Sequence, residues 1–165
     1  MVPFFILVAT TLALRGLGAI GVSPFASFRA SLRVGLAIMF AFTGTTHFTG
    51  MKHEYALMIP DFLPFRLELV YLSGALELLG ALGLLVPRWR RAAGIGLFVL
   101  LLAVLPANVH AYLADVPFRG DPPTSLWLRA PIQFIYLVAL WATAVKPSAR
   151  EAPTDAGPGT GSGPM

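Results

Sequence analysis

The chain has 165 residues, of which 56% are hydrophobic and only 12% are charged, and its formal net charge is +4. Soluble domains carry roughly 25% charged residues, so a water-exposed surface of ordinary polarity is excluded and lipid must solvate much of the protein. The positive charges lie in short clusters between apolar runs, which is typical of membrane orientation and not of nucleic-acid binding. The absence of cysteine excludes disulfides, thiolate metal ligands and thiol exchange.

Five apolar stretches each approach the ~20 residues that a helix needs to cross the hydrocarbon core. We therefore predict an all-α transmembrane bundle whose spans cover residues 2–22, 32–50, 67–86, 92–113 and 128–145. The first stretch contains Arg15, and it is a retained span, a cleaved signal peptide or an interfacial helix. Its apolar length and the lack of a basic segment before it favour a retained span.

Basic clusters alternate with charge-balanced loops along the chain. Arg29 and Arg33 occupy the first loop, and the third loop contains Arg88, Arg90 and Arg91, whereas the second and fourth loops carry both signs. Lys and Arg concentrate in cytoplasmic loops. Five spans in the plasma or inner membrane then place the N-terminus outside and the C-terminus in the cytoplasm.

The chain divides into a bundle and a tail. The bundle is predicted over residues 1–146. Residues 147–165 are rich in Pro, Gly, Ser and Thr and lack apolar periodicity. A segment of that composition cannot bury enough apolar surface to order itself, so we predict a disordered cytoplasmic tail.

An acidic residue, Glu77, lies near the middle of the third stretch. An ionisable group at that depth is costly in lipid and is expected to face the bundle interior. Ser73, Gly74, Gly80 and Ala81 lie on the same helical face, and small residues let helices approach closely. Glu77 is therefore either a neutral carboxyl that hydrogen-bonds across the bundle or a group that carries a proton or binds a ligand.

Further polar side chains fall towards the outer ends of the other spans. The candidate site residues, besides Glu77, are His47, Asn108, Arg129 and Gln133. Tyr136 continues the stripe of Arg129 and Gln133 at offsets of four and seven residues, so these three side chains share one helical face. We predict a vestibule that opens outwards and has Glu77 at its floor.

The fourth span holds two polar residues that compete for the interior. Asn108 and His110 lie about 200° apart around a helix, so they cannot both face one cavity. Pro106 is expected to bend the helix and reduce this conflict. We expect Asn108 to face inwards with Tyr112 one turn further along, and His110 to lie at the rim.

The second loop, residues 51–65, is apolar and aromatic. Pro60 and Pro64 exclude a long helix there. Such a loop is expected to lie in the headgroup region, where it is either a gate over the outer end of the bundle or a plain connector.

Several runs, in this order and spacing, resemble the DoxX family of small integral membrane proteins. They are RVGLAIMFAFTGTTH from Arg33, MIPDFLP from Met58, LVYLSGALELLGALGLLVPRWRRAAG from Leu69, LPANVHAYL from Leu105 and RAPIQ from Arg129. The resemblance implies a four-helix core that matches the second to fifth spans, with the first helix as an addition. The family's recurrent positions fall on His47, Pro60, Pro64, Gly74, Glu77, Arg88, Arg91, Pro106, Asn108, Arg129, Pro131 and Gln133.

The family is named for a subunit linked to thiosulfate and quinone oxidoreduction, so the resemblance implies a quinone cofactor and a membrane-bound or soluble oxidoreductase partner. Three functions stay open at this point. The chain is a redox-linked membrane subunit that holds a quinone through Glu77, Asn108, Arg129 and Gln133, a small-solute carrier coupled to protonation of Glu77, or an assembly factor with a structural polar core. We expect it not to be an enzyme on its own, and we expect no metal site.

Overall fold

The computed structural model describes residues 1–145, which are mainly helical and form no β-sheet. Its helices are α1 Val2–Ala19, α2 Phe28–Thr46, α3 Lys52–Met58, α4 Arg66–Leu85, α5 Arg90–Ala103, α6 Leu105–Leu113 and α7 Leu126–Leu140. A 3-10 turn at Ser23–Phe25 lies between α1 and α2, and a π-helical turn at Trp141–Val145 extends α7. The tail predicted over residues 147–165 lies outside the described residues.

Four helical segments are long and apolar enough to cross a membrane. They are Val2–Ala19, Arg66–Leu85, Arg90–Leu113 and Leu126–Val145. The prediction of an all-α protein is thus confirmed for the described residues, and several of its helices are long and apolar enough to cross a membrane. The predicted span of residues 32–50, which corresponds to α2, is not among the four. α2 has a comparable length, but it contains two arginines and three threonines, which lower its mean hydropathy.

α2 also begins and ends earlier than the predicted stretch of residues 32–50. Its first turn includes Arg29, whose Nε and Nη2 donate to the carbonyl oxygen of Ala142 at 2.9 and 2.5 Å. Arg29 thus lies within α2, and its guanidinium bonds to the π-helical turn. The charge pattern of the sequence predicted it in a loop. At the other end, turns over residues 47–51 replace the predicted last turn.

Consecutive long helical segments run in alternating directions along the bundle, in the order α1, α2, α4, α5–α6 and α7. α2 packs against α1, α4 and α7. Close contacts fix this arrangement. A Cβ at Gly35 of α2 would lie 2.4 Å from the hydroxyl of Thr11 in α1, and one at Gly44 would lie 2.9 Å from the carbonyl of Gly74 in α4. Helices that approach this closely need glycine at the crossing point.

The apolar core lies around α2 and α7. Its least exposed large side chains come from four helices: Leu36 and Met39 of α2, Leu84 of α4, Leu97 of α5 and Leu140 of α7. Many large apolar side chains on the periphery point outwards, among them Phe5, Leu79, Leu82, Val99 and Phe134. This inside-out distribution suits a lipid environment and would be costly in water.

Two prolines, Pro106 and Pro131, interrupt the helical segments α5–α6 and α7. The helix of residues 90–113 is broken at Val104, so α5 ends at Ala103 and α6 begins at Leu105. Pro106 stands in the first turn of α6, where its missing N–H is tolerated. Pro131 lies inside α7 and removes the hydrogen bond that its N–H would make to Trp127.

The two ends of the bundle differ in charge. We call the end at which α2 and α5 begin the basic end, because Arg29, Arg33 and Arg90 lie there. We call the other end the loop end, since it is covered by α3 and the connection between α6 and α7. At the loop end the N–H of Arg119 donates to a carboxylate oxygen of Glu54 at 2.8 Å, so the two long loops contact each other.

Candidate functional site

The crossing of α2 and α4 brings together a first group of polar side chains. Gly44 and Gly74 face each other there, and a Cβ on Gly74 would lie 2.5 Å from the Cβ of His47. Because α2 and α4 lie so close at these glycines, the side chains at their crossing are those of the neighbouring positions. They form what we call the acid cluster: Thr43, His47, Ser73 and Glu77.

One hydrogen bond and one longer polar contact hold Glu77 in the acid cluster. The hydroxyl of Thr43 donates to Oε2 of Glu77 at 2.5 Å, and Nε2 of His47 lies 4.0 Å from Oε1. The side chains of His47 and Glu77 are each 13% exposed. Glu77 therefore contacts other helices and not lipid, as its position among small residues predicted.

The tautomer of His47 follows from its neighbours. Nδ1 lies 2.9 Å from the carbonyl oxygen of Val70 and 3.0 Å from the hydroxyl of Ser73. A carbonyl oxygen can only accept, so Nδ1 carries a hydrogen and Nε2 of the neutral ring is left as an acceptor that faces Glu77. At 4.0 Å the two atoms are too far apart for a direct hydrogen bond, and they form an ion pair only when the imidazole is protonated.

A second group of polar side chains joins α6 and α7, and we call it the amide cluster: Asn108, Arg129 and Gln133. Nη1 of Arg129 donates to Oδ1 of Asn108 at 3.0 Å, and Nδ2 of Asn108 donates to Oε1 of Gln133 at 3.3 Å. Nε2 of Gln133 donates in turn to the carbonyl oxygen of Leu101 at 2.5 Å. The chain of bonds orients the guanidinium of Arg129, which has no acidic partner in the described part of the protein.

A cavity of about 400 Å³ lies between the two clusters at the loop end of the bundle. The wall formed by α2 and α3 holds Thr43, Thr46 and Tyr55, and the wall formed by α6 and α7 holds the amide cluster together with Tyr136. The rest of the lining is largely apolar and includes Met51, Met58, Leu101, Val104, Ile132 and the first residues of α1. Apolar walls with a few convergent polar groups are characteristic of small-molecule sites.

The tyrosine of the second loop closes one side of the cavity. The hydroxyl of Tyr55 lies 2.9 Å from that of Thr46, and its ring packs against the rings of His47 and Phe118 at centroid distances of 4.6 and 5.4 Å. Burial raises the pKa of Tyr55 above the ordinary tyrosine value, and the hydrogen bond from Thr46 opposes this in part. Tyr55 is therefore a neutral hydrogen-bonding group that contacts both the cavity and the acid cluster.

The hydroxyl of Tyr136 lines the cavity and has no hydrogen-bond partner within residues 1–145, and the same holds for the side chains of Arg119 and Thr124. It lies on the same face of α7 as Arg129 and Gln133, as the spacing of these residues predicted. A phenolic hydroxyl and a guanidinium that both face an apolar cavity can donate to an oxygen atom of a bound molecule.

The candidate residues named from the sequence do not form one group. Asn108, Arg129 and Gln133 lie together on one wall of the cavity, whereas His47 and Glu77 lie behind the other wall. Thr43 joins the two regions, since it lines the cavity and donates to Glu77. The predicted vestibule with Glu77 at its floor is thus replaced by a cavity that Glu77 contacts only through Thr43.

The two polar residues that follow Asn108 lie away from the cavity. Nδ1 of His110 is 3.0 Å from the carbonyl oxygen of Met58, which ties α6 to the second loop. Tyr112 is 38% exposed and does not line the cavity. Asn108 therefore faces the cavity without Tyr112, which lies one turn further towards the end of α6.

Several cavity residues were not named from the sequence. Thr46 and Tyr55 lie at the end of α2 and on α3, and Met1 to Phe4 contribute from α1. The second loop gave no signal beyond its aromatic composition, and nothing in the sequence indicates that the start of α1 lines the same cavity as α7. Residues 1–145 contain no group of three His, Asp or Glu side chains suited to a metal ion.

Comparison with known proteins gives one result. A family model described as a domain of unknown function, DUF8561, matches residues 36–146, which are more than half of the chain. No curated protein and no solved structure matches the chain. The match does not test the resemblance to DoxX proteins, which stays a prediction.

Proposed function

The chain belongs to the DUF8561 family, and we propose that it is a five-span membrane protein that binds a quinone-type ligand for a redox partner. The observation that carries this proposal is the cavity at the loop end, where hydrogen-bonding side chains from α2 and α3 and from α6 and α7 line a largely apolar space. The resemblance to DoxX proteins points to the same class of ligand, independently of the geometry.

The position of α2 supports a fifth span. Its side chains at Leu36, Ala37, Met39 and Phe40 are each no more than 3% exposed, because α1, α4 and α7 surround it. A helix enclosed by other helices meets little lipid and tolerates a lower mean hydropathy than a peripheral one. With α2 included, the alternating directions of the helices put the two ends of the chain on opposite sides of the membrane.

The charge distribution supports an orientation with the basic end in the cytoplasm. Arg29, Arg33, Arg88, Arg90 and Arg91 all belong to that end, whereas the acidic side chains of residues 1–145 lie at the loop end or, for Glu77, within the bundle. Basic residues are retained on the cytoplasmic side during insertion. The cavity would then lie towards the outer face of the membrane.

The cavity has the size and chemistry that a quinone ring requires. A volume of about 400 Å³ falls within the range of small-molecule sites, roughly 300–1,000 Å³. A quinone presents two carbonyl oxygens on opposite sides of a flat ring, and each accepts hydrogen bonds. Arg129 and Tyr136 can donate to one of them, and Tyr55 can donate to the other by turning its hydroxyl hydrogen away from Thr46.

The apolar tail of such a ligand has a path into lipid. Val2 and Phe42 line the cavity and are 53% and 43% exposed, so its rim reaches the outer surface between α1 and α2. In a membrane this surface meets acyl chains. A ligand could therefore place its ring inside the bundle and leave its tail in the bilayer.

Glu77 and Thr43 provide a route for a proton to the ligand. Reduction of a quinone to its hydroquinone consumes two electrons and two protons. The hydroxyl of Thr43 lines the cavity and is bonded to Glu77, whose Oε1 lies 4.0 Å from Nε2 of His47. Without cysteine or a metal-binding group among the described residues, the electrons would come from an oxidoreductase partner.

A binding titration tests the proposal. Purified protein in mild detergent is titrated with a short-tailed quinone, and we expect saturable binding to one site. Arg129→Gln should weaken binding by about tenfold or more, since a hydrogen bond from a charged donor contributes about 1.5–3 kcal/mol. Tyr136→Phe removes one neutral hydrogen bond and should weaken binding by about fivefold.

Tyr71→Phe is the matched control, because Tyr71 lies on α4 outside the cavity and stacks on Phe48 at a centroid distance of 5.7 Å. It should bind like the unmodified protein. If a folded protein binds no quinone, or if the Tyr71 and Tyr136 variants lose affinity equally, the proposal fails. The polar clusters would then be structural, as expected of an assembly factor.

A further inference from the structure

The charged side chains that line the cavity at the loop end are, among residues 1–145, all basic. They are those of Arg119 and Arg129, and no Asp or Glu of the described chain belongs to the lining. Neither arginine forms an ion pair with a described residue, and the side chain of Arg119 also has no hydrogen-bond partner among them. The lining therefore offers two positively charged donors to the molecule that the cavity holds.

Two carboxylates lie near the cavity without lining it. Glu77 accepts the hydrogen bond of Thr43 from within the bundle, and Glu54 accepts one from the backbone N–H of Arg119 at 2.8 Å. No guanidinium nitrogen of Arg119 lies within 4.0 Å of the Glu54 carboxylate. Glu54 thus holds the backbone of Arg119 and leaves its side chain able to contact a ligand.

A tight turn fixes Arg119 at the rim of the cavity. Phe118 and Asp121 exchange backbone hydrogen bonds of 2.9 and 3.1 Å, and the two residues between them have positive φ, 57° at Arg119 and 81° at Gly120. The left-handed region is unfavourable for a residue that has a Cβ. Residues held there are concentrated at ligand-binding sites. The ring of Phe118 packs on that of Tyr55 at a centroid distance of 5.4 Å, which ties the turn to the cavity wall.

The uncharged polar groups of the lining also meet a ligand mainly as donors. The hydroxyls of Thr124 and Tyr136 have no partner within residues 1–145, so their hydrogens can point into the cavity. The amide oxygen of Asn108 already accepts from Arg129, and that of Gln133 accepts from Asn108. A lining of this kind is complementary to a ligand that is rich in acceptor oxygens and carries negative charge.

We propose that the cavity takes a quinone whose ring bears an ionised hydroxyl group, in preference to a neutral quinone. This inference rests on the proposed function and narrows its ligand class. The anion of a hydroxyquinone shares its negative charge between the former hydroxyl oxygen and the carbonyl oxygen conjugated to it. Arg119 and Arg129 can each stabilise one of these oxygens, and hydrogen bonds between charged partners are about twice as strong as neutral ones.

The test compares two compounds that differ in charge and little in shape. 2-Hydroxy-1,4-naphthoquinone is an anion at neutral pH, and its methyl ether, 2-methoxy-1,4-naphthoquinone, is neutral. Both are titrated calorimetrically into the purified full-length chain in neutral detergent. We expect the anion to bind about tenfold more tightly. Raising the salt from ~0.01 M to ~1 M, which shortens the screening length from ~30 to ~3 Å, should reduce this preference and leave the affinity for the methyl ether unchanged.

Variants at the rim assign the preference to Arg119. Its side chain is exposed and its backbone keeps the bond to Glu54, so Arg119→Gln should fold. This variant should lower the preference for the anion by about threefold and change the affinity for the methyl ether by less than about twofold. Arg119→Lys keeps the charge and should restore most of the preference. Arg66→Gln is the matched control, because Arg66 lies at the loop end outside the lining and pairs with Asp61 at 2.7 Å.

The outcomes separate this inference from quinone binding itself. Equal affinities for the two naphthoquinones would overturn the preference for an anion and leave quinone binding intact. Equal effects of Arg119→Gln and Arg66→Gln, or a preference that salt does not reduce, would overturn it as well. A folded protein that binds neither compound would refute the proposed function together with this inference.

Discussion

Replacement of Gly74 by alanine tests the close crossing of α2 and α4 on which the acid cluster depends. The new Cβ would lie 2.5 Å from the Cβ of His47 and 3.0 Å from the carbonyl oxygen of Gly44. The latter contact is with backbone, so the helices themselves must separate. Overpacking of this kind costs about 1–3 kcal/mol. The better helix propensity of alanine returns up to about 1 kcal/mol.

The expected net result is a loss of about 1–2 kcal/mol in the free energy of unfolding. It is measured by reversible unfolding in mixed micelles followed by circular dichroism. Gly96→Ala is the matched control, because a Cβ at Gly96 on α5 meets no atom within 4 Å. That variant should be as stable as the unmodified protein or slightly more stable. If Gly74→Ala were equally stable, the α2–α4 crossing described here would be refuted.

Three further results are expected. Thr43→Val should cost about 1–3 kcal/mol because it leaves Glu77 without its hydrogen-bond donor, whereas Thr45→Val should cost little, since the Thr45 hydroxyl returns to Ala41 of its own helix at an exposed position. A difference of less than about 0.5 kcal/mol between the unfolding free energies of the two variants would contradict this prediction. In a spectrophotometric titration Tyr55 should ionise above the ordinary tyrosine range. Because its pKa in the folded protein is raised, its contribution to stability is complete below about pH 10 and is lost as the pH rises further. Tyr55→Phe should remove the loss of stability at high pH that Tyr55 causes. An unchanged dependence of the unfolding free energy on pH would contradict this prediction. Because the chain has no cysteine, Trp89→Cys and Asp61→Cys each introduce a single thiol that a maleimide can label. A membrane-impermeant maleimide should reach the two thiols from opposite sides of the membrane. Labelling of both from the same side would contradict five spans.

The sequence predicted the helices with the strongest apolar signal and missed features that depend on neighbouring helices. The apolar runs in α4, α5–α6 and α7 are long enough to be recognised from hydropathy. α2 was displaced by four residues because Arg29 was assigned to a loop, and its partner, the carbonyl of Ala142, is 113 residues away in the chain. No local pattern indicates such a contact.

The candidate site was predictable to the extent that it follows helical periodicity. Arg129, Gln133 and Tyr136 share a face because of their spacing, and they do line one wall of the cavity. The separation of Glu77 from that cavity depends on which helices are adjacent, which a single sequence does not contain. The same holds for Tyr55, whose place opposite the amide cluster results from the fold of the second loop.

The most direct test of the central proposal is photolabelling with an azido-substituted quinone, followed by peptide mapping. The proposal predicts that the label attaches to cavity residues such as Met51, Tyr55, Met58 and Tyr136, and that excess unlabelled quinone prevents it. Saturable labelling of the outer groove between α4 and α5, where Leu79 and Trp89 lie, would contradict it. So would labelling that unlabelled quinone does not reduce.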